Sequence, residues 1–413
     1  GYAVGHFSDG NDRVVDMEKT PSGKYILGGV ENLSDGYTND INFVQFLSDG
    51  VLDTSFGIGG YVNTSITERE DNIENFDIDN QGRIVAAGGC ANGACHGWEF
   101  LALRYLSDGS LDSTFNGDGI WQFSPGIDDR GNGLHISLDG SIFYAGFNKP
   151  GGFIAKLTEE GNLDNTFSDD GYDGQVYTNG GYNTTWDVAL QSDGKVIVGG
   201  IGNVTRYIDW NEALFLARYD LEGNLDPSFG SDGITIEDIQ WGESDGIKRI
   251  IIQPDDKIII GGHATVRSSR PGDTRADILI GRFNSDGSVD TSFGVDGFVV
   301  VDSGNGSESI RDLYLLPDGK ILASGSYHNG TTRNPIIIRL NSDGTLDTSF
   351  DEDGFWTEDI GCTDTIGAVG VLAEGDDYVF ALARNNEVTL TKIVPISNAI
   401  DFESFVVDDQ GSR

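Results

Sequence analysis

An eight-residue motif that occurs six times restricts what this chain can fold into more than any other feature. Asp49-Gly50-Val51-Leu52-Asp53-Thr54-Ser55-Phe56 recurs as Asp108-Gly109-Ser110-Leu111-Asp112-Ser113-Thr114-Phe115, then around Asp164, Asp226, Asp290 and Asp347. The second aspartates are spaced 59, 52, 62, 64 and 57 residues apart, and a glycine with a short apolar run closely follows each copy, as in Gly60-Tyr61-Val62. A second element precedes the motif: an apolar stretch, an Asp-Gly turn and a strand ending in small residues. Gln191-Ser192-Asp193-Gly194-Lys195-Val196-Ile197-Val198-Gly199-Gly200 is one of seven copies.

Each unit therefore reads as four short strands. Strand a runs into the first Asp-Gly turn, strand b leaves it, strand c precedes the motif and strand d follows it. Short β-branched and aromatic runs joined by Asp-Gly turns are hairpin signals, and no helical periodicity of useful length interrupts them. Seven antiparallel four-stranded units predict an all-β, seven-bladed β-propeller; a β-solenoid fits less well, because its coils are shorter and parallel. The propeller is expected over residues 1–394, with inner strands starting near 13, 72, 131, 185, 247, 310 and 366, and residues 395–413 as a tail or extra outer strand. Six motif-to-d transitions serve seven blades. Gly1-Tyr2-Ala3-Val4 resembles the d strands, so the N-terminal strand is expected to pair with the last blade and close the ring; Ser404-Phe405-Val406-Val407 is the alternative.

The motif Asp-Gly-x-Leu-Asp-x-Ser-Phe-Gly-x-x-Gly, with its preceding Asp-Gly-Lys hairpin, resembles the delta-60 repeat family of bacterial, mostly secreted or surface proteins. The resemblance runs from the first hairpin to about Ile393. It departs in the last unit, where Pro395 stands and no motif follows, and in the third, where Glu160-Gly161 replaces Asp-Gly. It implies a β-propeller-like module in an exported setting and brings no activity or catalytic residues.

Two aligned columns stand out. About eight residues before the second motif aspartate stand Gln45, Arg104, Lys156, Arg218, Arg282 and Arg339, with Lys392 in the last unit. The expected role is a repeated ion pair between strand c and the c–d loop, although calcium held by Asp112, Asn116 and Asp118, or by Asp347, Asp351 and Asp353, would suit the clustered carboxylates. At the entry to strand a stand Asp12, Asp71, Asp129, Asn183, Asp245, Glu308 and Asp364. Each would cap its own d–a turn, and together they would ring one channel mouth, where an axial cation such as calcium would neutralise them.

Charge narrows the partners. With 67 acidic and 26 basic residues the chain carries −41, which disfavours nucleic acid and anionic membranes, and no apolar run is long enough to span a bilayer. Five arginines, Arg206, Arg267, Arg270, Arg275 and Arg333, fall in the b–c loops of units 4 to 6, with Tyr207, Trp210, Trp241, His263, Tyr327 and His328 nearby. The b–c and d–a loops share one face and vary most, and variable loops on a fixed scaffold are where recognition sits. A glycan or protein ligand is expected on that face, in a secreted or cell-surface binding module; Arg–Asp pairing that merely orders the loops is the plainer reading, and a structural spacer the alternative.

Enzymatic signals are weak. His6, His96, His135, His263 and His328 lie in different units without metal spacing, and no nucleophile elbow, phosphate loop or Cys-x-x-Cys occurs. A channel-mouth hydrolase or lyase would have to use Glu308 or Asp245 beside His263 or His328. Cys90 and Cys95 are close enough for a local disulfide in an oxidising compartment, Cys362 is left over, and the start at Gly1 reads as a processed or excised piece.

Overall fold

The computed structural model describes residues 2–5, 13–32, 38–92, 97–126, 128–149, 151–176, 183–206, 209–239, 244–267, 274–301, 308–328, 332–358, 368–375, 377–384, 387–396 and 399–403. Seven antiparallel sheets follow one another along the chain, six of them four-stranded hairpin meanders. The second blade is typical: Asp71–Ile78, Ile84–Asn92, Gly97–Tyr105 and Ile120–Phe123 pair in that order. No helix occurs among the described residues. The inner strands, Arg13–Lys19, Asp71–Ile78, Arg130–Ile136, Thr184–Leu190, Asp245–Ile252, Ser309–Leu315 and Ala368–Glu374, contact one another in sequence, and the first also meets the last. The fold is a seven-bladed β-propeller.

Its core lies between blades. Seven apolar clusters each join two neighbouring sheets; one packs Val14, Met17 and Leu27 of the first blade against Val369, Val379 and Leu390 of the last, and the next joins Phe43 and Phe56 to Phe76 and Tyr105. Middle strands are covered on both faces, which is why they read as unbroken apolar runs such as Ile258-Ile259-Ile260.

The repeated motif latches each blade to the next. In the fourth blade Arg218 Nε pairs with Asp226 (3.0 Å) and its guanidinium lies over the ring of Phe229 (4.8 Å). Arg218 also donates to the carbonyl of Ser285 in the following blade. Arg104–Asp112 (2.8 Å), Lys156–Asp164 (2.7 Å), Arg282–Asp290 (2.7 Å) and Arg339–Asp347 (2.7 Å) repeat the pair. Where the column holds Gln45, Lys24 replaces the missing charge and reaches both Asp53 and Gln45. The serine or threonine two positions after the aspartate donates to it through backbone and hydroxyl, as Ser292 does to Asp290 (3.1 and 2.6 Å). The turn glycine of the next blade sits on the motif phenylalanine: Gly287 has φ +84°, and a Cβ there would come within 2.7 Å of the Phe229 ring.

In the last blade both terminal strands pair with Glu387–Ile396. Tyr2–Gly5 lies along Val388 to Thr391, and Ala399–Glu403 along Lys392 to Ile396. Strand Asp377–Arg384 occupies the opposite edge, so the two terminal strands share one edge end to end.

Candidate functional site

Every inner strand carries a β-bulge at the same level, where the pairing register slips by one residue. A bulge re-aims a side chain out of the ladder. The bulged residues are Val15, Glu74, Asn132, Trp186, Lys248, Arg311 and Val369. The first six line a single cavity of about 370 Å³, and a cavity shared by equivalent positions of six blades lies on the ring axis. Its upper wall comes from the starts of inner strands, including Arg13 and Arg130, and from Trp98 at the start of a c strand. It therefore opens on the face that carries the b–c and d–a loops.

The charge of this well is the reverse of the molecule's. Arg13, Arg130, Lys248, Arg249 and Arg311 line it, against one carboxylate, Glu74. Arg13 holds both oxygens of that carboxylate, Nη1 to Oε2 at 3.0 Å and Nη2 to Oε1 at 2.7 Å, the planar fork geometry that suits guanidinium to carboxylate. Lys248 Nζ stands 2.8 Å from the centre of the Trp186 ring, and Arg130 lies 5.0 Å over Trp98. Burial first, and then repulsion from Arg311, push the Lys248 amine down to about 7, with Glu74 opposing. Behind it His263 is driven down to about 4 by burial and by Lys248, so the imidazole is neutral at physiological pH.

Arg249 forms the floor. Its guanidinium pairs with Asp16 of the first blade and approaches Asp312 of the sixth (Nε to Oδ1 3.8 Å). The same acids knit the ring, because the bulges leave backbone N–H groups that a neighbouring blade must satisfy. Ile250 N donates to Asp187 (2.7 Å), Val371 N to Asp312 (2.9 Å) and Leu134 N to Asn75 (3.2 Å), while Asn75 donates to Asp16 (2.7 Å). Below the floor the channel turns acidic with Glu18 and Asp77, both raised chiefly by burial.

The acid column at the strand entries serves the loops. Asp71 accepts from Ile66 N, Thr67 N and Thr67 Oγ1 at 2.6 to 2.8 Å. Asp129 accepts from Ser124 Oγ (3.0 Å), and Asp245 from Ile239 N (2.8 Å) and Thr265 N (3.2 Å). Asn183 and Glu308 are buried at the same level; Asp12 and Asp364 lie outside the described residues. Among the described residues no group of three His, Cys, Asp or Glu side chains is arranged to hold a metal ion.

The loop residues singled out from sequence fall at the ends of long b–c hairpins in blades 4 to 6. Arg206 ends Val196–Arg206 and Trp210 is the second residue of Asp209–Tyr219; Arg267 ends Ile258–Arg267 and Arg275 is the second residue of Thr274–Phe283; Arg333 opens Arg333–Leu340. Tyr327 and His328 close Ile321–His328, both half-buried. Tyr207, Trp241 and Arg270 lie outside the described residues, as does Cys95, the expected partner of Cys90. Cys90 is buried, with the Gln122 amide 3.1 Å from its sulfur. Of these residues His263 is tied electrostatically to the axial well, through Lys248. The well's own cations were not visible as a column, since only Lys248 and Arg311 stand at the bulge, where each blade contributes a different residue, and Arg13, Arg130 and Arg249 lie at other levels of the inner strands.

The class these features define is a seven-bladed β-propeller built from a latch-forming repeat, with a cationic axial well. A family described as "Domain of unknown function (DUF5122) beta-propeller" matches residues 20–56, 191–229, 253–293 and 316–350, in each case running from an a–b turn to a motif phenylalanine, which supports a propeller repeat family. No curated protein matches the chain. Among solved structures, a catalytically inactive variant of virginiamycin B lyase from Staphylococcus aureus, with quinupristin, is 13% identical with a TM-score of 0.52, covering 94% of this chain and 99% of that one. The β-propeller domain of the trilobed protease from Pyrococcus furiosus is 9% identical, TM-score 0.44, over 92% of each chain. Drosophila semaphorin 1b, extracellular domains 1–2, is 8% identical, TM-score 0.47, over 95% of this chain and 86% of that one. At such identities the likeness to the lyase is one of fold alone.

Proposed function

We propose that this chain is a non-catalytic binding propeller of the delta-60 repeat type, carried by a secreted or cell-surface protein, that takes a glycan or protein ligand on its b–c/d–a face. The observation that carries this reading is the axial well: five cationic side chains and two indoles gathered in a protein of charge −41. Concave sites with a few convergent polar groups are where ligands bind, and the arginine-bearing hairpins of blades 4 to 6 rise on the same face. Binding to immobilised glycans and surface proteins tests it, with three proteins compared: the wild type, Lys248→Met with Arg311→Met, and Arg267→Ala with Arg270→Ala and Arg275→Ala. Loss in the first variant alone places the ligand on the axis, and loss in the second alone moves it to the hairpin tips. No ligand on either set leaves the structural spacer.

One observation favours a second reading, a channel-mouth hydrolase or lyase. Burial and the neighbouring Arg311 push the Lys248 amine down to about 7 next to the neutral His263, toward the range that suits a general base. Time-dependent cleavage of a bound glycan, lost in Lys248→Met, would establish it.

A further inference from the structure

We propose that the axial well is a receptor for a monosaccharide-sized carboxylate, a sugar acid that is either free or at the end of a glycan chain, held by Lys248 and Arg311 with Trp186 and Trp98 beside its ring. This rests on the binding reading above and names its ligand class. Size sets the first limit. About 370 Å³ lies at the small end of ligand cavities, which begin near ~300 Å³, and room for one or two sugar rings is what it offers. The floor sets the second, because Arg249 and its ion pair with Asp16 close the axis beneath. A polymer can enter end first and cannot thread through.

Charge selects the head group. Glu74 is held on both oxygens by Arg13, while Lys248 and Arg311 repel each other across the wall. A carboxylate arriving between them removes that repulsion and favours the charged amine. The remaining wall selects the body. Asn72, Asn132 and Ser309 suit hydroxyl groups, and indole faces suit the C–H faces of a sugar ring. An aspartate or glutamate side chain supplies a carboxylate without hydroxyls and so brings no donor to the acceptor oxygens of Asn132 and Ser309, whose own donors are given to the carbonyls of Thr185 and Ile310.

Proton linkage follows from the same geometry. Lys248 faces Arg311 from the sixth blade, Trp186 from the fourth, Glu74 clamped by Arg13 from the second and first, and His263 behind it on the adjacent strand. Arg249 is its chain neighbour, with Asp16 and Asp187 beneath. With the amine at about 7 in the empty well and returned upward by a bound carboxylate, the ligand takes up no proton below that pH and up to one above it. Affinity is then level below pH 7 and falls by up to tenfold per unit above it.

Calorimetry on the full chain tests this with galacturonic acid, trigalacturonate, neutral trigalactose and hexaglutamate, each variant first checked for a native melt. The expected result is binding of the two galacturonates alone. Equal affinities identify a free sugar acid, and tighter trigalacturonate identifies a chain end. Lys248→Met and Arg311→Met should each lose at least tenfold, whereas Lys248→Arg should bind and lose the fall above pH 7. Failure of both galacturonates to bind, or equal binding of trigalactose, overturns the proposal. Preference for hexaglutamate, abolished in Arg311→Met, overturns the sugar acid and leaves the axial binding reading standing. Galacturonate binding unchanged in both methionine variants overturns the axial site itself.

Discussion

Arg249, on the inner strand of the fifth blade, is ion-paired with Asp16 on that of the first, 233 residues earlier in the chain. The pair spans the propeller axis, and it separates a cationic well above from an acidic channel below. Asp16, Asp187 and Asp312 all converge on this one guanidinium, so its charge is what permits three carboxylates in one buried site.

Arg249→Met should therefore be among the most damaging single changes in the chain. Removing one partner of a buried ion pair costs about 3–5 kcal/mol because the other charge stays buried and unmatched. Asp16→Asn should cost less, since Asp187 and Asp312 still neutralise the guanidinium. Denaturant midpoints measure both, and an Arg249→Met protein as stable as the wild type would refute the role given to this pair.

Stability should rise as pH falls from about 7 to about 4. Burial first, opposed by Arg249, holds Asp16 up at about 7, and Asp187 is held at about 6 by the same balance. A carboxyl whose folded value lies above its unfolded one binds its proton on folding, so its contribution is complete below the ordinary value of 3.8 and is lost as pH rises through the folded value. The motif aspartates act oppositely. Burial raises Asp290, but hydrogen bonds from Ser292 and Lys257 and the Arg282 charge outweigh it and lower the group, so their stabilisation is lost only in stronger acid. Urea midpoints between pH 4 and 7 should decline with pH against the opposite pull of His263, whose folded value lies below its ordinary one, and Asp16→Asn should flatten that decline.

Two turn glycines with the same backbone separate the two demands placed on them. Gly287 and Gly319 both have φ +84°, but a Cβ at Gly287 meets the Phe229 ring at 2.7 Å while one at Gly319 meets only Ser342 Cβ at 3.5 Å. Gly319→Ala should cost about 1–2 kcal/mol, the left-handed penalty. Gly287→Ala should cost about 1–3 kcal/mol more, from overpacking against the latch. Equal losses in the two variants would mean that the phenylalanine does not fix the turn.

That contrast also explains what could be read from the sequence. Asp-Gly turns and the motif phenylalanine recur because each blade must solve the same backbone problem, so the seven blades and the Arg–Asp pairs, such as Arg282 with Asp290, were legible as columns. The axial well was not. Six of its residues share one bulge position and nothing else, running Val15, Glu74, Asn132, Trp186, Lys248 and Arg311, and a search for sameness passes over a position whose use lies in differing. One signal was available. Of the 26 basic residues, Arg13, Arg130, Lys248, Arg249 and Arg311 belong to neither the latch column, the a–b turns nor the arginine-bearing loops, and all five sit in or beside inner strands.

Calcium should shift the melting temperature by less than about one degree. Both carboxylate oxygens of Asp71 and of Asp245 already accept hydrogen bonds from their own d–a loops or from the adjoining strand, so a cation would have to displace these donors, and the one unpartnered oxygen of Asp129, Oδ1, is too few for an ion that takes about six to eight ligands. Melts with millimolar calcium and with EDTA decide it; a shift of several degrees, lost in Asp245→Asn, would establish an axial cation.

Removal of residues 1–5 should lower the melting temperature more than removal of residues 399–413. Tyr2–Gly5 pairs with Val388 to Thr391, the part of the last c strand where Leu390 and Thr391 are buried and Leu390 joins the core between the last and first blades. Ala399–Glu403 pairs farther along, from Lys392 to Ile396. Deleting the first strand leaves backbone groups over that core without partners, at a cost of about 1–3 kcal/mol for each one that stays buried, and opens the blade interface to water. Deleting the second exposes an edge beyond it. Thermal melts of the two truncated chains compare them directly, and an unchanged melt after loss of residues 1–5 would assign closure to the C-terminal strand.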